Sequence, residues 1–273
     1  MMLPSALWLA HTRSLRPRLT GLLYLLATVC LCIALSLMGY LLFDDSVSAT
    51  AGYVLKHRTE YAAIVPFNLL SVALMVAALP LIGEILRPAS QRLSRLAITF
   101  GLIGCAVQAL MNVFAYGAMA LINGTPYREA FRPVEFQAIA HLCMTMFMIG
   151  NTVAFVFYGL CGALFGYLGF RSAFIPRALG AVVGVAGISW GMLIFAYVVD
   201  PIGPYLFLAG LVGQLVLGIW LLAKGVNRGR WNQMAGYGSD DEPPDGPSEG
   251  DLPMTERRPR VTGNITGRPK LVS

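Results

Sequence analysis

The sequence predicts an all-α, polytopic membrane protein: six transmembrane helices with the N- and C-termini both cytoplasmic. Three observations predict it. Six apolar runs, Leu19–Phe43, Tyr61–Gly83, Leu96–Ile122, Phe136–Phe170, Ala178–Val199 and Pro201–Ala223, contain no Asp, Glu, Lys or Arg. Each reaches the roughly 20 residues that a helix needs to cross hydrocarbon. Of 273 residues, 56% are hydrophobic and only 12% charged, against about 25% charged in soluble domains. Finally, the basic residues alternate between linkers. One side carries Arg13, Arg16, Arg18, Arg87, Arg92, Arg95, Arg171, Arg177, Lys224, Arg228 and Arg230; the other carries only Lys56, Arg58, Arg128 and Arg132. Loops rich in Arg and Lys stay in the cytoplasm, which sets the orientation.

The first run follows three arginines and is far longer than the roughly 7–15-residue core of a cleavable signal, so it reads as an uncleaved anchor. Backbone groups left unpaired in lipid are too costly, so every run must be helical, and the runs are too long for barrel strands. The second run carries Pro66 and Pro80 and ends near Glu84, which precedes Arg87 by one helical turn and suits an interfacial ion pair. The third carries Gln108, Asn112 and Tyr116 at four-residue steps. The fourth exceeds the bilayer, so its first turns should stand in the outer interface, with His141 near the outer surface. Asp200-Pro201-Ile202-Gly203-Pro204 breaks the chain before the sixth run. Three regions follow: a basic cytoplasmic N-terminus (1–18), a six-helix transmembrane domain (19–223) and a disordered cytoplasmic tail (224–273). In that tail Asp240, Asp241, Glu242, Asp245, Glu249 and Asp251 mix with Pro and Gly before a basic stretch.

The net charge of +6 belongs to the flanks of apolar runs and meets anionic headgroups, so no nucleic-acid partner is expected. Cys30, Cys32, Cys105, Cys143 and Cys161 all lie within the runs and form no CxxC pair. They read as small packing residues rather than a disulfide framework.

Glycine supplies the clearest packing signal. Gly159, Gly162, Gly166 and Gly169 form one helical stripe; Gly180, Gly184, Gly187 and Gly191 form another. Small residues let helix backbones approach closely in lipid. The fourth and fifth helices should use these stripes for close contacts, partly with each other, with Gly184 as the position where a large side chain forces helices apart. A dimer seam, or contact with another membrane protein, is the alternative.

Polar residues are sparse inside the runs. Gln108, Asn112, His141, Asn151 and Gln214 form the candidate polar pocket, with Asn68 a further amide inside the second run. Amides in lipid turn inward and bond across helices; interhelical cohesion and a small-ligand pocket are both open readings. His141, Met144 and Met148 with Cys143 and Met146 offer ligand types suited to copper(I), but a lone His with ordinary apolar Met makes a metal site the weaker reading. No metal and no cofactor is assigned. Nor is any catalytic residue: GxSxG, HExxH, phosphate-loop and G-x-G-x-x-G signatures are absent.

Phe157-Tyr158-Gly159-Leu160, Leu164-Phe165-Gly166-Tyr167-Leu168, Arg171-Ser172 and Phe174-Ile175-Pro176-Arg177-Ala178-Leu179-Gly180 together resemble the bacterial membrane family catalogued as domain of unknown function 4386. Leu217-Gly218-Ile219-Trp220-Leu221-Leu222-Ala223-Lys224-Gly225 is similar to its closing motif, and Arg18 and Gly21 to its opening. The resemblance spans about 15–226. It implies a six-helix protein of the bacterial inner membrane and carries over no activity.

The leading expectation is therefore a multi-pass protein of the bacterial cytoplasmic membrane, non-catalytic, serving as an accessory, sensory or assembly protein. A small-solute or lipid transporter and an intramembrane enzyme acting on a lipid or isoprenoid are the rivals. A proton-coupled carrier wants a deep ionisable group, and none is present.

Overall fold

The computed structural model describes residues 4–38, 58–123, 132–197 and 202–226, with 230, 231 and 233. The parts of the expected outer loops within 39–57 and 124–131, the start of the Asp200 turn and the tail beyond 233 lie outside the described residues. Every regular element described is a helix: α1 (Pro4–Met38), α2 (Arg58–Leu86), α3 (Gln91–Asn123), α4 (Pro133–Arg171), α5 (Arg177–Gly191), a 3-10 continuation (Met192–Tyr197) and α6 (Gly203–Ala223). Six stretches are long and apolar enough to cross a membrane: Pro17–Met38, Thr59–Leu86, Gln91–Leu121, Gln137–Arg171, Arg177–Ala196 and Gly203–Ala223. The expected six-span, all-α architecture is what the chain forms.

Local chemistry sets the ends. Ser90 starts α3, its carbonyl accepting from the Ser94 amide at 3.0 Å and its hydroxyl facing the Leu93 amide at 3.5 Å, as N-cap serines do. Ahead of α4 the Arg132 backbone amide donates to the Glu135 side chain, one half of a capping box, with Pro133 at the first helical position. At the end of α6 the amides of Lys224 and Gly225 both turn back to the Trp220 carbonyl (2.9 and 3.3 Å). Gly225 does so at φ 63°, a conformation that costs a residue with a Cβ about 1–2 kcal/mol.

Each helix packs on its neighbours in sequence, and α6 returns to α1, so the bundle is a closed ring. Neighbours are antiparallel. At one end Tyr61, at the start of α2, reaches the Ala115 carbonyl late in α3 (3.5 Å) and the Met144 sulfur early in α4 (2.6 Å). Interhelical hydroxyl–carbonyl bonds pin other pairs: Ser71 to Ala27 across α2 and α1 (2.8 Å), and Ser94 to Gly83 across α3 and α2 (2.7 Å). Two apolar clusters fill the ring. A small one gathers Met38, Tyr61, Ile64, Ala115, Met144 and Phe147 at the Tyr61 end. A larger one runs from Val72 and Phe155 down to Leu86, Leu168 and Leu221. Outward residues such as Val113, Val185, Ile188 and Leu208 are exposed, as a lipid-facing surface requires.

α1 begins at Pro4, ahead of the first apolar run, and carries Pro17 inside it. One expectation changes. The tail does not begin at 224 as a segment free of the bundle: the Trp231 indole N–H donates to the Ile85 carbonyl (3.0 Å), Arg230 donates to the Ala173 carbonyl (3.2 Å), and Val226 and Trp231 pack on the large core cluster. The α2 carbonyl at Ile85 lies in the last turn, where no intrahelical amide is left to meet it. Trp231 supplies the donor.

Candidate functional site

The α4–α5 contact is built from glycine because only missing side chains let two backbones meet. A Cβ at Gly166 would collide with the Gly184 backbone, one at Gly159 with Gly191, one at Gly187 with Ala163 and one at Gly180 with Phe170. Gly162 and Gly169 approach Gly187 and Gly180 at 3.1 and 3.3 Å by the same measure. Gly184 has a methyl group's worth of room, with Gly166 Cα at 3.8 Å, and Gly191 has nothing within 4 Å. The stripes therefore interleave as knobless ridges within one chain. Two further glycine contacts lie outside these stripes. Trp190 of α5 lies across Gly210 of α6, and a Cβ at Gly21 of α1 would stand 2.5 Å from the Leu222 amide nitrogen and 2.9 Å from the Gly218 carbonyl oxygen of α6. That second approach closes the ring.

At mid-bundle the amides meet. Asn68 on α2 accepts from Gln108 (3.2 Å) and Asn112 (3.0 Å) on α3 through one carbonyl oxygen, and Asn112 also donates to the Gln108 backbone carbonyl (2.8 Å). Tyr158 on α4 donates to the Gln108 side-chain oxygen at 2.8 Å and lies 3.3 Å from the Cys105 sulfur. Three helices are thereby joined by neutral groups, with the Asn112 side-chain oxygen left without a partner among the described residues. All four side chains are buried.

The other candidate residues sit elsewhere. Asn151 turns its amide to the Phe147 carbonyl of its own helix (2.7 Å). His141 is half-buried, ten residues before Asn151, about 15 Å along α4. Its neighbour in sequence space, Met144, is engaged by Tyr61, and no group of three His, Cys, Asp or Glu residues suited to a metal occurs among the described residues. Tyr116 does not share the face of Gln108 and Asn112: it is 63% exposed. Over two four-residue steps a helix turns by about 80° beyond whole turns, enough to carry Tyr116 out to lipid. Glu84 is exposed at the edge of α2. All five cysteines are free.

Gln214 is the exception. It is 4% exposed, and neither its oxygen nor its nitrogen has a hydrogen-bond partner among the described residues. It lines a cavity of about 30 Å³ inside the ring, with walls from α1 (Tyr24), α2 (Met75, Leu79), α4 (Tyr158, Cys161, Phe165), α5 (Val183, Trp190) and α6 (Leu217). A second cavity, about 20 Å³, adjoins it toward the Arg171 end and is walled by apolar residues and glycine. Phe165, Val183 and Leu217 border both. Phe155, Tyr158, Trp190 and Phe207 form an aromatic group beside the first, with Phe155 and Trp190 ring centres 5.2 Å apart. Asn68 and Tyr158 stand outside the polar pocket expected from sequence. A buried tyrosine needs a hydroxyl partner, which was the available signal for Tyr158.

A family model described as domain of unknown function (DUF4386) matches residues 19–225, and the chain belongs to that family. No curated protein and no solved structure matches the chain.

Proposed function

We propose that this DUF4386 protein is a non-catalytic accessory protein of the bacterial cytoplasmic membrane, serving sensing or assembly, with both termini on the cytoplasmic side. The observation that supports this reading is the neutral network of Asn68, Gln108, Asn112 and Tyr158, whose functional groups are directed at one another. Acid–base catalysis and proton coupling both use an ionisable group at the working centre. Here the mid-bundle groups are amides and a phenol, which hold helices in place. Glu84 and His141, the residues a lipid-acting enzyme would draw on, border neither cavity. A partner, whether a second copy or another membrane protein, would meet the lipid-facing surface, because the glycine faces of α4 and α5 are occupied by each other.

Transport of a small neutral solute is the second reading, favoured by the two adjoining cavities on the ring interior. Native-level expression followed by mild extraction tests the choice. An accessory protein should run as a stoichiometric assembly larger than the single bundle and give no solute flux in liposomes. A lone bundle that moves a small solute would overturn the accessory role. Reporter fusions test orientation: the tail should report cytoplasmic and a fusion after Asp200 external.

A further inference from the structure

We propose that the cavity beneath Gln214 is an internal hydration site, holding about two water molecules that join α6 to the polar network of α2, α3 and α4. The argument begins with the amide. A buried polar group with no partner is rare in folded proteins and is most often met by ordered water. Gln214 leaves both its donor and its acceptor unmet, at a depth where lipid offers neither. The cavity provides room: its volume is about 30 Å³, and a space of roughly 10–15 Å³ already admits one water. It also provides polar company, since Tyr24, Tyr158 and Cys161 share its wall.

Tyr158 makes the site part of something larger. Its hydroxyl proton goes to Gln108, which leaves an oxygen lone pair for a water hydrogen. Water held by Gln214 and reaching Tyr158 would extend the Asn68–Gln108–Tyr158 chain across the ring to α6. The adjoining apolar cavity gives such water no partner, so hydration should stop at Phe165, Val183 and Leu217.

Hydroxyl-radical footprinting of the full chain in lipid nanodiscs tests this, because radiolysis of a bound water marks the oxidisable side chains beside it. Met75 and Trp190 line the cavity. Met144 is buried at the Tyr61 end and lines neither cavity. Met75 and Trp190 should be oxidised at least several-fold faster than Met144. Rates equal to that of Met144 would mean a dry cavity and overturn the proposal. Gln214→Leu, close in size and without hydrogen-bonding groups, should bring both rates down to that of Met144. Unchanged rates in that variant would show that Gln214 does not hold the water, and would overturn its part in the site. Should the leucine variant fail to fold, Gln214→Met makes the same comparison with a more adaptable side chain.

Discussion

Gly166 and Gly184 face one another across α4 and α5, yet their contact is not reciprocal. A Cβ at Gly166 would fall on the Gly184 backbone, whereas a Cβ at Gly184 would stand 3.8 Å from Gly166 Cα, an ordinary van der Waals distance. Side chains on a helix tilt toward its N-terminus, so in an antiparallel pair two facing positions do not see the same space. Gly166→Ala should therefore destabilise the bundle by about 1–3 kcal/mol, the usual cost of overpacking, while Gly184→Ala should be near neutral. Thermal unfolding of the two variants in one detergent decides it: equal losses would mean that the helices shift to absorb either methyl group.

The Tyr158 hydroxyl links α4 to the amides of α2 and α3. Tyr158→Phe leaves the Gln108 oxygen without its 2.8 Å donor. Losing a buried partner costs about 1–3 kcal/mol in water-soluble proteins, but interhelical bonds in membranes average only about 0.6 kcal/mol. A loss of about 1 kcal/mol is expected. Tyr116→Phe, on the exposed face, should change nothing measurable. A Tyr158→Phe variant as stable as the parent would show that the network adds no cohesion.

These two cases show what a sequence alone can reveal. The membrane spans were legible because hydrocarbon imposes length and neutrality on every helix, whatever its neighbours. The glycine stripes at 159–169 and 180–191 were legible as faces, since helical periodicity needs only spacing. Which glycine is tight was not, because that depends on the relative tilt and offset of two helices. The Gln108–Asn112 pair could be read from a four-residue step, but Asn68 and Tyr158 join it through tertiary packing. Tyr116 fitted the same step and turned out to lipid, since the drift of a straight helix over eight residues outweighed the pattern. Trp231 was masked by composition: it lies at the start of a polar, Gly- and Pro-rich segment, and one indole outweighs that background locally.

Trp231 gives a direct test of where the folded body stops. Its indole donates to Ile85 at the end of α2 and packs on the large core cluster. A chain ending at Val226 should melt lower than one ending at Gln233, and Trp231→Ala in the full chain should account for most of the difference. Burying a large aromatic side chain contributes about 1.5–3 kcal/mol; with Trp231 only half-buried, about 1 kcal/mol is the expected scale. If the two truncated chains melt together, the contact contributes nothing to stability.

The last prediction concerns pH at the start of α4. Arg132 donates to Glu135 from its backbone amide (3.1 Å) and from its guanidinium (3.0 and 2.6 Å). These bonds hold the Glu135 carboxyl below the ordinary carboxylate range, the side-chain contact being the larger cause. A carboxyl depressed in the folded state is bound more weakly by protons there than in the unfolded chain. Its contribution is therefore fully present above the ordinary carboxylate range and is lost as pH falls through the folded value. Both side chains are exposed or nearly so, with 84% and 44% of their area open, so solvent screens the pair and global stability should hardly move. The effect belongs to the first turn of α4. Amide exchange there, corrected for the intrinsic pH dependence of the chemistry, should show protection falling as the carboxyl becomes protonated. Glu135→Gln should flatten that response and resemble the acid form at all pH values. Protection that falls equally in the parent and in Glu135→Gln would place the titrating group elsewhere.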